Sequence, residues 1–365
     1  MGGGLLTLYE GLWATLATPL IRRMDAQTVH HQVIEALRVA DTLPLMPTGA
    51  GWLQQALIPD LPTPVGGVML PHPLILAAGF VKGDGFADEG EALAAVAAGR
   101  NIIPGWRVMP ALVGAVEFGS FTRHPRLGNS GRVLWRDDAT ASTQNRIGLR
   151  NPGARAAAAF LAAWRDQLPA VWGINIAVSP GVSDPEQEAA EMLEAVGFFT
   201  ALGIQPSWFT LNLSCPNTED DPGAHQTAAK ARHLGAALVG AVSVPVWIKV
   251  SPGIALEQVR ALAEAFADIG VRAVVATNTL GQPTPEGSAI AGVGGGRLRG
   301  AALATARLFK DVAPALDVIA CGGILTGGHL RESLAAGAAA AMIYSALVFR
   351  GPLAAGVILG ERGGG

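Results

Sequence analysis

Trp208-Phe209-Thr210-Leu211-Asn212-Leu213-Ser214-Cys215-Pro216-Asn217 decides how the chain folds. The first six residues form an alternating apolar run and read as a strand. That strand runs straight into a thiol and a second carboxamide, around a rigid proline. Buried amides are costly unless something polar meets them. A strand ending this way suits a small planar polar ligand held between Asn212 and Asn217. Two readings of Cys215 stand side by side. It is a base or nucleophile facing that ligand, or an inert buried thiol beside a turn.

The same unit recurs in both directions. Short β-type runs occupy 74–78, 113–119, 172–178, 208–213, 246–250, 273–276, 317–320 and 340–344. Ala-rich helical stretches separate them, at 85–98, 153–167, 185–202, 225–241, 255–269, 301–313 and 327–336. Strands spaced by helices pair in parallel through crossovers. Eight such units predict an α/β fold, a closed (β/α)8 TIM barrel. The stretch 99–112, with Pro104, Trp106 and Pro110, fits no unit and reads as a loop insertion.

Ahead of the barrel, Leu5, Leu8, Leu12, Leu16 and Leu20 form a helical stripe that Trp13 and Ile21 widen. Asp25 suits the N-cap of a second helix with the stripe Val29, Val33, Leu37 and Ala40. Residues 1–43 therefore read as an N-terminal helical hairpin. Prolines and Gly49 then break the pattern, so 44–64 reads as a connector and 65–365 as the barrel. The hairpin either packs its stripe on the barrel or leaves it open to a membrane surface.

Composition narrows the function. The chain has 365 residues, half of them apolar and 15% charged, enough for one large core. A net charge of -3 gives no electrostatic case for nucleic acid. Cys215 and Cys321 form no spacing motif, and a reducing compartment is expected. No secretory signal is visible. The apolar stretch 333–349 is short for a membrane span and reads as a helix end, a strand and a turn. No metal-ligand spacing appears.

Barrel enzymes collect their chemistry at the C-terminal strand ends. Here those ends offer Ala78, Gly79 and Lys82, then Ser120, Asn175, Asn212, Lys249, Thr277-Asn278-Thr279, Gly322-Gly323 and Tyr344-Ser345. Lys249 follows Val246-Trp247-Ile248, so its stem is buried and its amine must meet an anion or an electron-rich ring. Gly322-Gly323 and Tyr344-Ser345 follow strands seven and eight, the usual place for a phosphate. The run Gly292–Gly296 reads as a flexible or phosphate-approaching loop and does not spell a dinucleotide fingerprint.

These motifs resemble one family. Ala77-Ala78-Gly79-Phe80-x-Lys82, Asn145-Arg146-Ile147-Gly148-Leu149-x-Asn151, Asn212–Thr218, Thr277-Asn278-Thr279 and Cys321-Gly322-Gly323 look like those of the dihydroorotate dehydrogenases, FMN-dependent barrel enzymes of pyrimidine biosynthesis. The resemblance covers nearly the whole chain. It implies FMN contacts from Ala78, Gly79, Ser120, Asn145, Asn175, Asn212, Lys249, Thr277, Gly295, Gly323, Tyr344 and Ser345. It implies that Lys82, Asn145, Gly148, Leu149, Asn212, Asn217, Asn278 and Thr279 surround dihydroorotate or orotate. Cys215 falls on the family's catalytic base, which takes the C5 proton while hydride leaves C6 for FMN.

The family divides by electron acceptor. The hairpin and the Asn-Arg-x-Gly motif are similar to the membrane-associated, quinone-using class (class 2), and His30 and Arg136 fall where its members contact quinone. A Cys base is the mark of the soluble class 1 type, which uses fumarate or NAD; class 2 uses Ser. Val81 stands where the family usually has Asp. The resemblance implies a peripheral enzyme on the cytoplasmic face of a membrane, or a cytoplasmic one if soluble-type. Alternatives are another FMN barrel reductase of pyrimidines or dihydrouridine, and a non-catalytic flavin-binding relative.

Overall fold

The computed structural model describes residues 2–213 and 226–362. Eight parallel strands close into a barrel in chain order: β1 Leu74–Leu76, β2 Ala115–Phe121, β3 Trp172–Ala177, β4 Trp208–Asn212, β5 Val246–Val250, β6 Ala273–Ala276, β7 Asp317–Cys321 and β8 Ala340–Ile343. All eight lie where the β-type runs predict them. The intervening helices follow suit, for example Pro185–Ala201, capped by Asp184, and Leu256–Ile269, stopped by Gly270 in the left-handed region. Stretch 333–349 resolves into the end of helix Gly327–Ala335, β8 and helix Ser345–Arg350.

The barrel interior is plugged from below. Trp208 and Trp247 stack at 4.3 Å between ring centroids. Trp208 fits because Gly173 beside it has no side chain; a Cβ there would run into the indole. Trp247 Nε1 donates to Gly66 O at 3.1 Å. Gly66 belongs to a hairpin of strands Thr63–Val65 and Val68–Leu70 that closes the barrel floor. Above the tryptophans sits a fully buried polar residue, Glu117.

Three expectations need correction. The connector 44–64 contains a helix, Leu45–Leu57. Pro44 is its N-cap and Pro47 lies in its first turn, where backbone N–H groups have no intrahelical partner to lose. The insertion 99–112 is not a loop throughout: it is irregular only to residue 107, and much of it is buried. Ile102, Ile103, Trp106 and Met109 are core residues, and the stretch runs into helix Val108–Val113. Asp41 of the extension anchors it, accepting from Gly105 N at 2.6 Å, Val108 N at 3.1 Å, Arg107 N at 3.2 Å and Asn101 Nδ2 at 2.9 Å. The run Gly292–Gly296 is no loop either. Strand Ile290–Gly295 pairs with Leu280–Pro283 and Ser142–Asn145, and the latter pairs with Leu134–Asp137. Its glycines allow close backbone approach: at Gly295, with φ +82°, a Cβ would collide with Ala141 O. This four-stranded antiparallel sheet comes from the segments after β2 and β6 and stands beside the barrel mouth.

The N-terminal extension has two faces. Helix Gly2–Leu12 continues through a π-helical turn, Trp13–Ala17, into Thr18–Arg22, and then turns to helix Ala26–Thr42, capped by Asp25 as predicted. The inward face is Leu6, Tyr9 and Trp13, so Trp13 does not widen the leucine stripe as expected. Tyr9 Oη donates to Arg350 O at 2.9 Å and Trp13 Nε1 to Phe349 O at 3.1 Å. The leucine stripe points the other way: Leu5, Leu8, Leu12, Leu16 and Leu20 are 50–62% exposed. Leu45, Met46 and Trp52 on the third helix are also exposed. Among the described residues, no helix is long and apolar enough to cross a membrane.

Candidate active site

A cleft with about 1060 Å³ of space, its open mouth included, lies at the C-terminal end of the barrel. Each strand end contributes what its sequence offers. Ala78, Gly79 and Lys82 come from the β1 loop, Ser120 from β2, Asn212 from β4 and Lys249 from β5. Thr277, Asn278 and Thr279 follow β6, Gly323 follows β7, and Tyr344 and Ser345 follow β8. The side sheet adds Asn145 and Gly295, and the turn beyond it adds Gly148 and Leu149. Cys215 and Asn217 lie outside the described residues.

The polar groups are tied into a chain across the mouth. Asn278 Nδ2 donates to Asn212 Oδ1 at 3.3 Å, and Asn212 Nδ2 donates to Ser120 Oγ at 3.3 Å. Thr279 N donates to Asn278 Oδ1 at 2.8 Å, which fixes that amide from the other side. Amides held this way offer both donors and acceptors at set places. Lys249 and Asn212 are opposite each other in the β4–β5 register, both buried, so the amine stands beside the amide row. Gly148 and Leu149 both have left-handed backbones, φ +74° and +53°. For a leucine that conformation is strained, a feature common where backbone is held for a ligand.

One predicted cofactor residue lies just below the mouth. Asn175 is fully buried on β3, and its Nδ2 donates to Glu117 Oε1 at 2.9 Å. Its Oδ1 has no hydrogen-bond partner among the described residues. A buried amide oxygen left unmet is destabilising, so it calls for a donor on a bound group. Together with the buried Lys249 amine and a glycine-lined end at Gly295 and Gly323, the residues fit a flavin. Gly323, φ +66°, lets that end stay narrow: a Cβ would come within 2.8 Å of Gly295 O.

Several further residues line the cleft with no local signal in the sequence. Thr143 reaches Ser345, Oγ1 to Oγ at 3.0 Å, and joins the side sheet to the start of helix Ser345–Arg350. Leu298, Ile324 and Met342 supply apolar wall. Cys321 lines the cleft too, but burial pushes its thiol up, so it is a poor thiolate. Burial likewise pushes the Tyr344 phenol up to about 12, and Phe80 packs edge-on against its ring. No signal near Thr143 in sequence announces its partner, since 202 residues separate the pair.

His30 and Arg136 have different surroundings. His30 lines a second cleft, between helix Ala26–Thr42 and the β1 loop, which shares Gly79 and Lys82 with the first. Burial, helped by Lys82, His31 and Arg150, pushes His30 down to about 4, so it is neutral near pH 7. Arg136 instead pins the turn of the extension. Its Nη2 donates to Ile21 O at 2.8 Å and Met24 O at 3.3 Å, and it pairs with Asp138 at 3.2 Å. Val81, the departure from the family pattern, is a fully buried core residue. Among the described residues no group of His, Cys, Asp or Glu could hold a metal ion.

Comparison with known proteins agrees with this geometry. The family profile for dihydroorotate dehydrogenase matches residues 60–361. A dihydroorotate dehydrogenase (quinone) of Bordetella avium is 30% identical, covering 94% of this chain and 95% of the relative. One of Chromobacterium violaceum is also 30% identical, covering 92% and 94%. Among solved structures, ligand-free DHODH from Eimeria tenella superposes with a TM-score of 0.70 at 22% identity, covering 87% of this chain and 93% of that one, and so shares the fold. The chain belongs to the dihydroorotate dehydrogenase family.

Proposed function

We propose that the chain oxidises dihydroorotate to orotate with FMN as its resident cofactor, and hands the electrons to a quinone drawn from a membrane surface. The observation that carries this is the junction of two clefts at Gly79–Lys82, one lined by the carboxamide row and Lys249, the other by the extension.

Bound FMN supplies the hydride acceptor and the route for electrons; the rest falls to the chain's own side chains. Asn145, Asn212 and Asn278 suit the amide edges of a dihydropyrimidine, and Lys82 suits its carboxylate. Cys215 takes the C5 proton. A free thiol has a pKa of about 8.5, so nearby N–H groups or cations must lower it for work at neutral pH. Lys249 would hold the cofactor from the buried end of β5 and stabilise negative charge that develops on it. The outward leucine stripe seats the extension in the interface of a membrane as a peripheral element, on the cytoplasmic face.

Anaerobic dihydroorotate should bleach the yellow protein, and a soluble quinone, but neither fumarate nor NAD, should restore the colour. Absence of bleaching would overturn the reaction. Restoration by fumarate alone would keep the reaction and transfer the chain to the soluble type that its Cys base resembles. Replacing Cys215 by Ala should retain FMN and slow bleaching by about 10²–10⁴-fold, while Cys215→Ser should raise the pH optimum. An unchanged rate in the Ala variant would remove Cys215 from the mechanism.

A further inference from the structure

Glu117 lies on β2 inside the barrel, fully buried, and has had no part in the reaction so far. Three donors meet its carboxylate. Asn175 Nδ2 reaches Oε1 at 2.9 Å, Trp208 Nε1 reaches Oε2 at 2.9 Å, and the Thr210 hydroxyl also donates to Oε2. Trp208 cannot reverse its role, because an indole N–H only donates. Its ring is also locked against Trp247. The Asn175 amide therefore has one orientation. Its NH2 lies on the carboxylate and its carbonyl oxygen is at the far end, buried and unmet among the described residues.

Register says where that far end looks. Glu117 is level with Gly173, and Asn175 is level with Gly119, two residues nearer the C-terminal end of the strands. The oxygen therefore faces away from the barrel floor, toward the end where Ser120 and Asn212 line the cleft. A flavin carries an imide N–H between two carbonyls on its pyrimidine ring. Only an acceptor can meet that N–H.

Building on the FMN reading above, we propose that Glu117 is a positioning residue: it fixes the Asn175 amide so that the cofactor site presents a dedicated acceptor to the flavin imide. A glutamine at this position reverses the arrangement. Its amide oxygen must stay on Trp208, so its NH2 turns to Asn175, which must flip to accept. The cofactor then meets an NH2 group instead of an oxygen.

The test follows FMN release from purified holoenzyme, read as the rise of free-flavin fluorescence, in E117Q, N175D and the double variant. E117Q should release FMN about tenfold faster, or more. N175D alone sets two carboxylates face to face and should release it faster still. The double variant should return to within about threefold of wild type. There the carboxylate introduced on β3 accepts from the amide introduced on β2, and still offers an oxygen to the cofactor. A merely structural Glu117 predicts additive damage and no rescue. Unchanged release in E117Q, or a double variant no better than E117Q, overturns the proposal. If E117Q does not fold, N175D against the double variant decides it, and no slowing of release by the second substitution overturns it. A wild type that holds no FMN overturns this proposal together with the cofactor reading. A yellow wild type with indifferent variants overturns this one alone.

Discussion

Leucines do opposite work in the two regions of this molecule. In the barrel Leu74, Leu76 and Leu211 are completely buried, and the strand ends carry the polar groups. In the extension the stripe from Leu5 to Leu20 points to solvent, and Leu6, Tyr9 and Trp13 make the attachment. Burial of apolar area stabilises a fold; a contiguous apolar face left outside is free to bind something else. The difference teaches that an amphipathic pattern gives the width of a face but not its direction.

That contrast can be broken by mutation. The largest effect should come from the barrel: Trp208→Ala removes one stacked indole and a donor to Glu117, and should cost about 3–5 kcal/mol in chemical denaturation. A loss under about 1 kcal/mol would mean the plug does not support the barrel. At the junction, Asp41→Ala strips the acceptor from three backbone N–H groups and Asn101. We expect a loss of about 3 kcal/mol, with faster proteolysis near 101–108.

A smaller effect should appear with pH, at the cleft between the regions. His30 is neutral in the fold, with its value down at about 4 against an unfolded value of about 6.5. Its contribution is therefore complete above pH 6.5 and is lost as pH falls from 6.5 toward 4. The decline should be about 2 kcal/mol over that window, after allowance for partial exposure, and His30→Gln should flatten it. Equal acid sensitivity in wild type and variant would show that the imidazole is not held neutral there.

The smallest effect on stability belongs to the stripe. The double variant Leu8→Ser, Leu16→Ser should shift unfolding by no more than about 0.5 kcal/mol, since both side chains are exposed. The same variant should weaken binding to anionic lipid vesicles by more than about tenfold. A large loss of stability, or undiminished vesicle binding, would erase the contrast between the two regions.

Much of the fold was legible because each unit is local. Strand runs such as 246–250 and caps such as Asp25 and Asp184 depend on neighbours within a few residues, and the observed elements fall on them. The cleft was legible for a related reason: in a parallel barrel the residue that ends a strand is the residue at the mouth, so Asn212, Lys249 and Asn278 converge without any knowledge of distance. The helix at Leu45–Leu57 escaped because Pro47 and Gly49 read as breakers, and only the position of Pro47 in the first turn makes it harmless. The side sheet escaped because Ser142–Asn145 and Ile290–Gly295 are separated by a long stretch of chain, and glycines in a strand resemble glycines in a loop.

Sequence by itself determined the eight-unit order, the polar strand ends and the presence of two amphipathic faces in the extension, since each is written in periodicity and in adjacent residues. Tertiary structure alone decided which face of the extension turns outward, that Arg136 pins a turn and that Asp41 anchors the 101–108 stretch. It also decided that Glu117 gathers Asn175, Trp208 and Thr210. Those outcomes rest on partners distant in the chain, whose meeting depends on barrel closure and register and on no local rule.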